Sequence, residues 1–109
     1  MIIRTSRADV RPGQEAAFEA RILETVRSSP AQNPGLLGYD VLTQQDGLVL
    51  VFQSRWRDEN AIAQFAGARW ATDPVTFPGE DRYLIRPLQL DHFHVVDTYP
   101  ALRSERIVR

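Results

Sequence analysis

His92 and His94 are the only histidines of the chain, and they stand two residues apart. On a strand, side chains at i and i+2 project from the same side, roughly 6.5–7 Å from one another. A metal held there would need a third ligand, and the neighbouring acids Asp91 and Asp97 have the opposite parity. Only a carboxylate from far along the chain would complete such a site. One neutral imidazole, with an ordinary pKa of ~6.5, is better suited to taking a proton from a phenol or an activated methylene. The plainer alternative is that both rings line a sheet face or a seam between subunits and hydrogen-bond there. Arg4 lies in an alternating N-terminal stretch, two residues before Ser6 and at the same parity. Burying its guanidinium without a counter-ion is costly, so it either steadies a developing oxyanion or pairs with an acid at the sheet edge. Trp70, Phe77 and Tyr83 fall in one irregular segment, where aromatic rings either cover a flat substrate or close a hydrophobic core. Trp56 reads as a core anchor, and Arg86, beside Pro87, as a solvated loop charge.

What is missing narrows the chemistry. There is no glycine-rich phosphate loop, no dinucleotide fingerprint, and no serine or cysteine in a recognisable nucleophile motif. Cysteine is absent, which removes thiolate metal sites and disulfides. No cofactor and no metal are therefore expected. Thirteen basic residues against 14 acidic ones give a net charge of −1, which offers nothing to nucleic acid or anionic lipid. No apolar run approaches the ~20 residues of a membrane helix, and a cytoplasmic location is the default expectation. At 109 residues, 43% of them hydrophobic, the chain can bury one core and form one domain.

The elements that must position these groups follow from periodicity. Ile2–Val10 alternates and predicts a strand, broken by Arg11-Pro12-Gly13. From Gln14 to Arg27 the period changes, with Ala17, Phe18, Ile22, Leu23 and Val26 on one helical stripe. Ser28–Gly35, with Pro30, Asn33 and Pro34, predicts a loop. Leu36–Gln44 predicts a second strand with Leu37, Tyr39, Val41 and Thr43 on one face. A turn at Asp46-Gly47 then leads into Leu48–Trp56, apolar enough to be central and buried on both faces. Asp58 is a fit N-cap for a helix through Ile62, Phe65 and Ala66 that ends at Gly67. Residues 68–87 are irregular, long enough to need short helical turns of their own. Leu88–Val96 predicts the last strand.

The order strand, helix, strand, strand, helix, strand is the ferredoxin-like α+β pattern, a four-stranded antiparallel sheet with both helices on one face. Its other face, carrying Ile3, Tyr39 or its neighbours and the central strands, exposes too much apolar surface for a monomer. A twofold homodimer with sheets packed into an α/β barrel is expected. Residues 1–96 form the domain and 97–109 a tail that docks on its own subunit or on the neighbour.

Four stretches carry a resemblance: Ile3–Gly13 running into a helix with Phe18; Asn33-Pro34-Gly35; Val49–Ile62 with Phe65-Ala66-Gly67; and Arg86-Pro87 followed by Leu90–Val95. On these the chain resembles the antibiotic biosynthesis monooxygenase family of small dimeric α/β-barrel proteins. The haem-degrading branch of that family uses an asparagine on the first strand, a tryptophan in the second helix and a histidine after it. Without gaps these fall on Ser6, Phe65 and Val75, so that mechanism is not expected here. The likeness is closer to members whose last strand carries a histidine followed by an aromatic, here His92-Phe93.

The resemblance implies a small-molecule enzyme, a cofactor-independent monooxygenase acting on a phenolic, quinol or polyketide-like ring. His92 would be its base and Arg4 or Ser6 would hold the anion. Phe65, Trp70 and Tyr83 would enclose the ring, with His94 beside it. The same base could serve isomerisation, cyclisation or decarboxylation of a similar ring. The alternative is a non-catalytic dimer that binds a hydrophobic metabolite or haem.

Overall fold

The N-terminal alternation is strand β1, Ile2–Asp9, in the computed structural model, which describes residues 1–100. Ile2, Arg4 and Ala8 are buried, which marks the even-numbered side as the one the helices cover. Gly13 turns the chain with a φ of +91°, a conformation glycine adopts without a Cβ penalty. Helix α1, Glu15–Val26, then buries Phe18, Ile22 and Val26. The short α2, Ser29–Gln32, carries Pro30 in its first turn, where a missing N–H is not missed.

Strands β2, Leu36–Thr43, and β3, Val49–Trp56, form a hairpin. Gly47 supplies a φ of +76° at its turn and the Leu48 N–H donates to Asp46 Oδ1 at 2.9 Å. Helix α3, Glu59–Ala66, starts at Asp58, whose Oδ1 accepts the Ala61 N–H at 2.9 Å, a cap worth about 1 kcal/mol. A 3-10 turn, Glu80–Tyr83, precedes β4, Gln89–His94. The sheet order is β2-β3-β1-β4, every pair antiparallel. This is the four-stranded ferredoxin-like α+β fold that the element order predicts.

Three local expectations are corrected. The loop at 28–35 contains the helical turn α2, because Pro30 at a helix start favours it. Leu37 does not share a face with Tyr39, since a register shift between Leu36 and Gly38 makes it the extra residue of a bulge, and it is exposed. β3 is central, but only its helix side, with Leu50, Ser54 and Trp56, is buried, while Val49, Val51, Gln53 and Arg55 remain partly open. The predicted tail 97–109 lies outside the described residues from position 101 onward.

The core has two parts. Under α1, Ala8, Val10, Phe18, Ile22, Val26 and Leu50 pack with Phe77 and Leu84. Under α3, Ile2 and Trp56 pack with Ala61 and Ile62. Each helix thus covers one end of the sheet. The middle of the sheet, around Arg4, Ser6 and Phe52, lies between them and is roofed by the segment after α3.

Candidate active site

Register brings the reactive side chains together. Arg4 on β1 pairs with Ser54 on β3 and with His92 on β4, forming one row across the helix side of the sheet. Ser54 is fully buried. Its hydroxyl accepts the Trp56 Nε1–H at 2.8 Å and donates to the Arg4 carbonyl at 3.3 Å. Trp56 is thereby the core anchor that its position predicts. His92 and His94 both sit on the helix side, opposite Arg4 and Ile2.

Arg4 is only 4% exposed and, among the described residues, has no carboxylate partner. Its Nη1 donates to the Trp70 carbonyl at 2.7 Å and lies 2.8 Å from His92 Nε2, while Nη2 donates to the Asp73 carbonyl at 3.2 Å. A guanidinium has five N–H donors, so two have no partner among the described residues. Trp70 also stands edge-on to His92, ring centres 5.0 Å apart. The cation is thus desolvated, chelated by neutral acceptors, and short of negative charge. Burial lowers its pKa from the ordinary guanidinium value, yet a guanidinium stays protonated at any physiological pH. Burial, and then the Arg4 charge, hold the His92 imidazole below its usual 6.5 against a weaker opposing pull from Asp91. A neutral ring whose Nε2 accepts from Arg4 carries its proton on Nδ1.

Beside Arg4 is a small cavity of about 90 Å³. Its floor is Arg4, Ser6 and Phe52, its walls are Ile22 and Val26 of α1 with Phe65 of α3, and its roof is Val75, Thr76, Phe77, Glu80 and Leu88. An open groove of about 750 Å³ lies on the other side of that roof, and Thr76, Phe77, Glu80 and Leu88 line both. Ser6, Phe65 and Val75, the positions aligned with the haem-degrading residues, converge on the one small cavity.

Of the residues singled out in the sequence, Arg4, Ser6, Phe65 and Phe77 line this cavity. His92 and Trp70 stand behind Arg4 instead. Tyr83 packs against Phe18 and Phe77, ring centres 5.7 and 5.9 Å away, as part of the core rather than over the cavity. His94 is exposed at the strand end. Arg86 is an exposed loop charge, and it also pairs with Asp9 at 3.0 Å. Among the described residues no three His, Cys, Asp or Glu side chains gather as a metal site would require, and no helix is long and apolar enough to cross a membrane.

Glu80 is the group that sequence reasoning missed. It is 4% exposed, its Oε1 accepts the Phe77 N–H at 3.2 Å, and no group among the described residues donates to Oε2. Burial raises its pKa above the usual carboxyl range, and the Phe77 hydrogen bond opposes this only in part. In the sequence Glu80 sits in Gly79-Glu80-Asp81-Arg82, which reads as an ordinary polar turn.

Residues 1–70 match the family model described as antibiotic biosynthesis monooxygenase. No curated protein matches significantly. Among solved structures, Rv0793 from Mycobacterium tuberculosis superposes with a TM-score of 0.69 at 20% identity, covering 90% of this chain and 97% of its own. A mutant of SnoaB, a cofactor-independent oxygenase from Streptomyces nogalater, gives 0.64 at 22%, covering 92% and 97%. PA3566 from Pseudomonas aeruginosa gives 0.67 at 19%, covering 88% and 94%. At these identities the superpositions establish the shared fold.

Proposed function

Because the chain belongs to the antibiotic biosynthesis monooxygenase family, we propose that it is a cofactor-independent monooxygenase whose substrate is an electron-rich phenolic, quinol or polyketide-like ring. The observation that carries this reading is Arg4, a buried guanidinium that forms no ion pair among the described residues, facing a cavity whose single acid, Glu80, is not paired with it. Such a site is complementary to a phenolate or enolate, whose negative charge gains most where water is excluded. The anion supplies the electrons, so that a ring methylene and dioxygen give a ring carbonyl and water with no external reductant. Ser6, on the cavity floor, orients the substrate oxygen, and Phe65 packs against the ring.

His92 has the second role at this site. With Nε2 on Arg4, it fixes the direction of the guanidinium, and while that contact holds its lone pair is not free to take a substrate proton. The cavity as it stands, at about 90 Å³, is smaller than the roughly 150 Å³ that admits a benzene ring. Substrate entry therefore requires the Trp70–Phe77 segment to move outward. The exposed apolar residues of the free sheet face, Leu42 and Phe93 among them, support a homodimer built through that face.

A second reading, a binding protein for a hydrophobic anion, draws on the same cavity and on the engagement of the His92 lone pair. Oxygen uptake with a panel of anthrones and quinols, without added metal or cofactor, separates the two. Uptake above autoxidation supports the monooxygenase. Tight binding by Arg4 with no uptake across the panel would replace it with the binding protein.

A further inference from the structure

Resting on the anion-site reading above, we propose that Glu80 is the proton acceptor of this cavity, and that Oε2 is the atom that receives the proton. The 3-10 turn that carries Glu80 is held on both sides. Arg11 N–H donates to the Tyr83 carbonyl and Ile85 N–H to the Asp9 carbonyl, each at 2.8 Å, tying the turn to the end of β1. Within the turn, Glu80 N–H donates to the Phe77 carbonyl at 3.1 Å while Phe77 N–H donates to Glu80 Oε1 at 3.2 Å. This reciprocal pair fixes the carboxyl group against the turn and occupies one oxygen. Oε2 stays buried without a donor among the described residues.

A turn-stabilising side chain needs one acceptor oxygen and no charge, and glutamine would serve as well. A buried carboxylate with its second oxygen unoccupied is costly unless it has a use. Here the use is geometric, because Glu80 and Arg4 line the same cavity without forming an ion pair. Once the Trp70–Phe77 segment has moved outward and uncovered Oε2, a substrate hydroxyl placed between Glu80 and Arg4 gives its proton to that oxygen. The ring O–H bond breaks, the Oε2–H bond forms, and the electron pair stays on the ring oxygen facing the guanidinium. No oxidant takes part in this step. Negative charge moves from Oε2 to an oxygen beside Arg4, a favourable transfer at low dielectric. Glu80 also lines the larger groove, where Arg11, Asp81 and Arg86 are the other charged groups, so the body of a larger ring system has room beside the acceptor.

The test uses 3-nitrophenol, neutral in solution at neutral pH, with absorbance and proton release to the buffer followed together. Wild type is expected to show the phenolate spectrum with no net proton release, because the proton stays on Glu80. In Glu80→Gln the phenolate band is expected either to vanish or to emerge with about one proton released per probe bound. The same phenolate spectrum without proton release in both proteins would overturn the proposal, as would a wild type that shows no phenolate band. Oxygen uptake is measured in parallel and should fall at least tenfold in Glu80→Gln, with the thermal midpoint as a folding control. Glu80→Asp, which keeps a carboxyl one methylene shorter, should recover part of it and replaces the glutamine variant if that one does not fold. Uptake unchanged in Glu80→Gln would remove the acceptor and leave the monooxygenase. A phenolate band with no uptake by wild type would do the reverse.

Discussion

His92 Nε2 lies 2.8 Å from Arg4 Nη1, so an imidazole lone pair, and not a carboxylate, faces the most buried cation of the described residues. The contact requires a neutral ring. It also keeps the positive charge of Arg4 uncancelled, whereas an aspartate at position 92 would neutralise it and remove the attraction for a ligand anion.

Arg4 should therefore govern activity. Arg4→Met keeps most of the side-chain volume but leaves the Trp70 and Asp73 carbonyls and the His92 lone pair without their donor, at about 1–3 kcal/mol for a buried acceptor left unpaired. Oxygen uptake should fall about 100-fold, the scale for losing an oxyanion donor, in protein shown by thermal denaturation to be folded at the assay temperature. Arg4→Lys should restore only part of the activity, since an ammonium does not reproduce the fork that reaches Trp70, Asp73 and a ligand at once. A lysine variant as active as wild type would contradict this.

His92 and Glu80 predict opposite pH dependences of folding. The folded-state pKa of His92 is depressed, so its contribution is fully present above 6.5 and is lost as pH falls through the folded value. The stability of wild type relative to His92→Gln should rise with pH up to that point and then level. Glu80 has a raised folded pKa, so its contribution is complete below the ordinary 4.5 and is lost as pH rises through the folded value. Relative to wild type, Glu80→Gln should gain roughly 1–3 kcal/mol on the alkaline side, the scale for a buried unpaired polar group. Urea denaturation across pH measures both signs.

His92→Gln also discriminates the two roles of the ring. If His92 acts by positioning Arg4, a glutamine oxygen still accepts the Nη1–H, and uptake should stay within about threefold of wild type, whereas His92→Phe should lose about tenfold or more. Equal, large losses in both variants would restore His92 as the base.

Gly35 has a steric reason to be glycine. A Cβ there would run into the Ala61 side chain of α3, and the Gly35 carbonyl accepts the Arg57 N–H at 2.9 Å, so the backbone is not free to withdraw. Gly35→Ala should destabilise by about 1–3 kcal/mol. Gly38→Ala, which meets no atom within 4 Å, should stay within about 0.5 kcal/mol. Chemical denaturation of the pair is the check.

On the free sheet face, Phe93 is 54% exposed and Leu42 46%. If this face joins two copies, Phe93→Glu should shift the protein to monomer in sedimentation without unfolding it. A wild type that sediments as a monomer would remove the dimer.

The sheet and both long helices are legible because their signals are local: two-residue alternation in β1, a helical stripe from Phe18 to Val26, and the Asp58 cap. Arg4 and Ser6 are legible as a pair for the same reason, sharing parity on one strand. The meeting of Arg4 with His92 is not, since it depends on which sheet edge receives β4 and on a register between positions far apart in the chain. Tyr83 is read as covering the cavity and instead packs in the core, because the 3-10 turn rotates it toward Phe18. That same rotation buries Glu80, whose sequence neighbours Asp81 and Arg82 mark the stretch as surface.

The roof of the cavity comes from one stretch of chain, Val75 to Leu88, and the preceding Trp70 and Asp73 hold Arg4 through main-chain carbonyls. Main-chain contacts place few demands on side-chain identity. The stretch from 70 to 88 therefore behaves as a cassette on a fixed platform, with Phe77 and Leu84 held by the core and Glu80 by its place in the cavity. Exchanging only Val75 and Thr76 would change what the cavity admits while the strands that carry Arg4 and Ser6 are left alone.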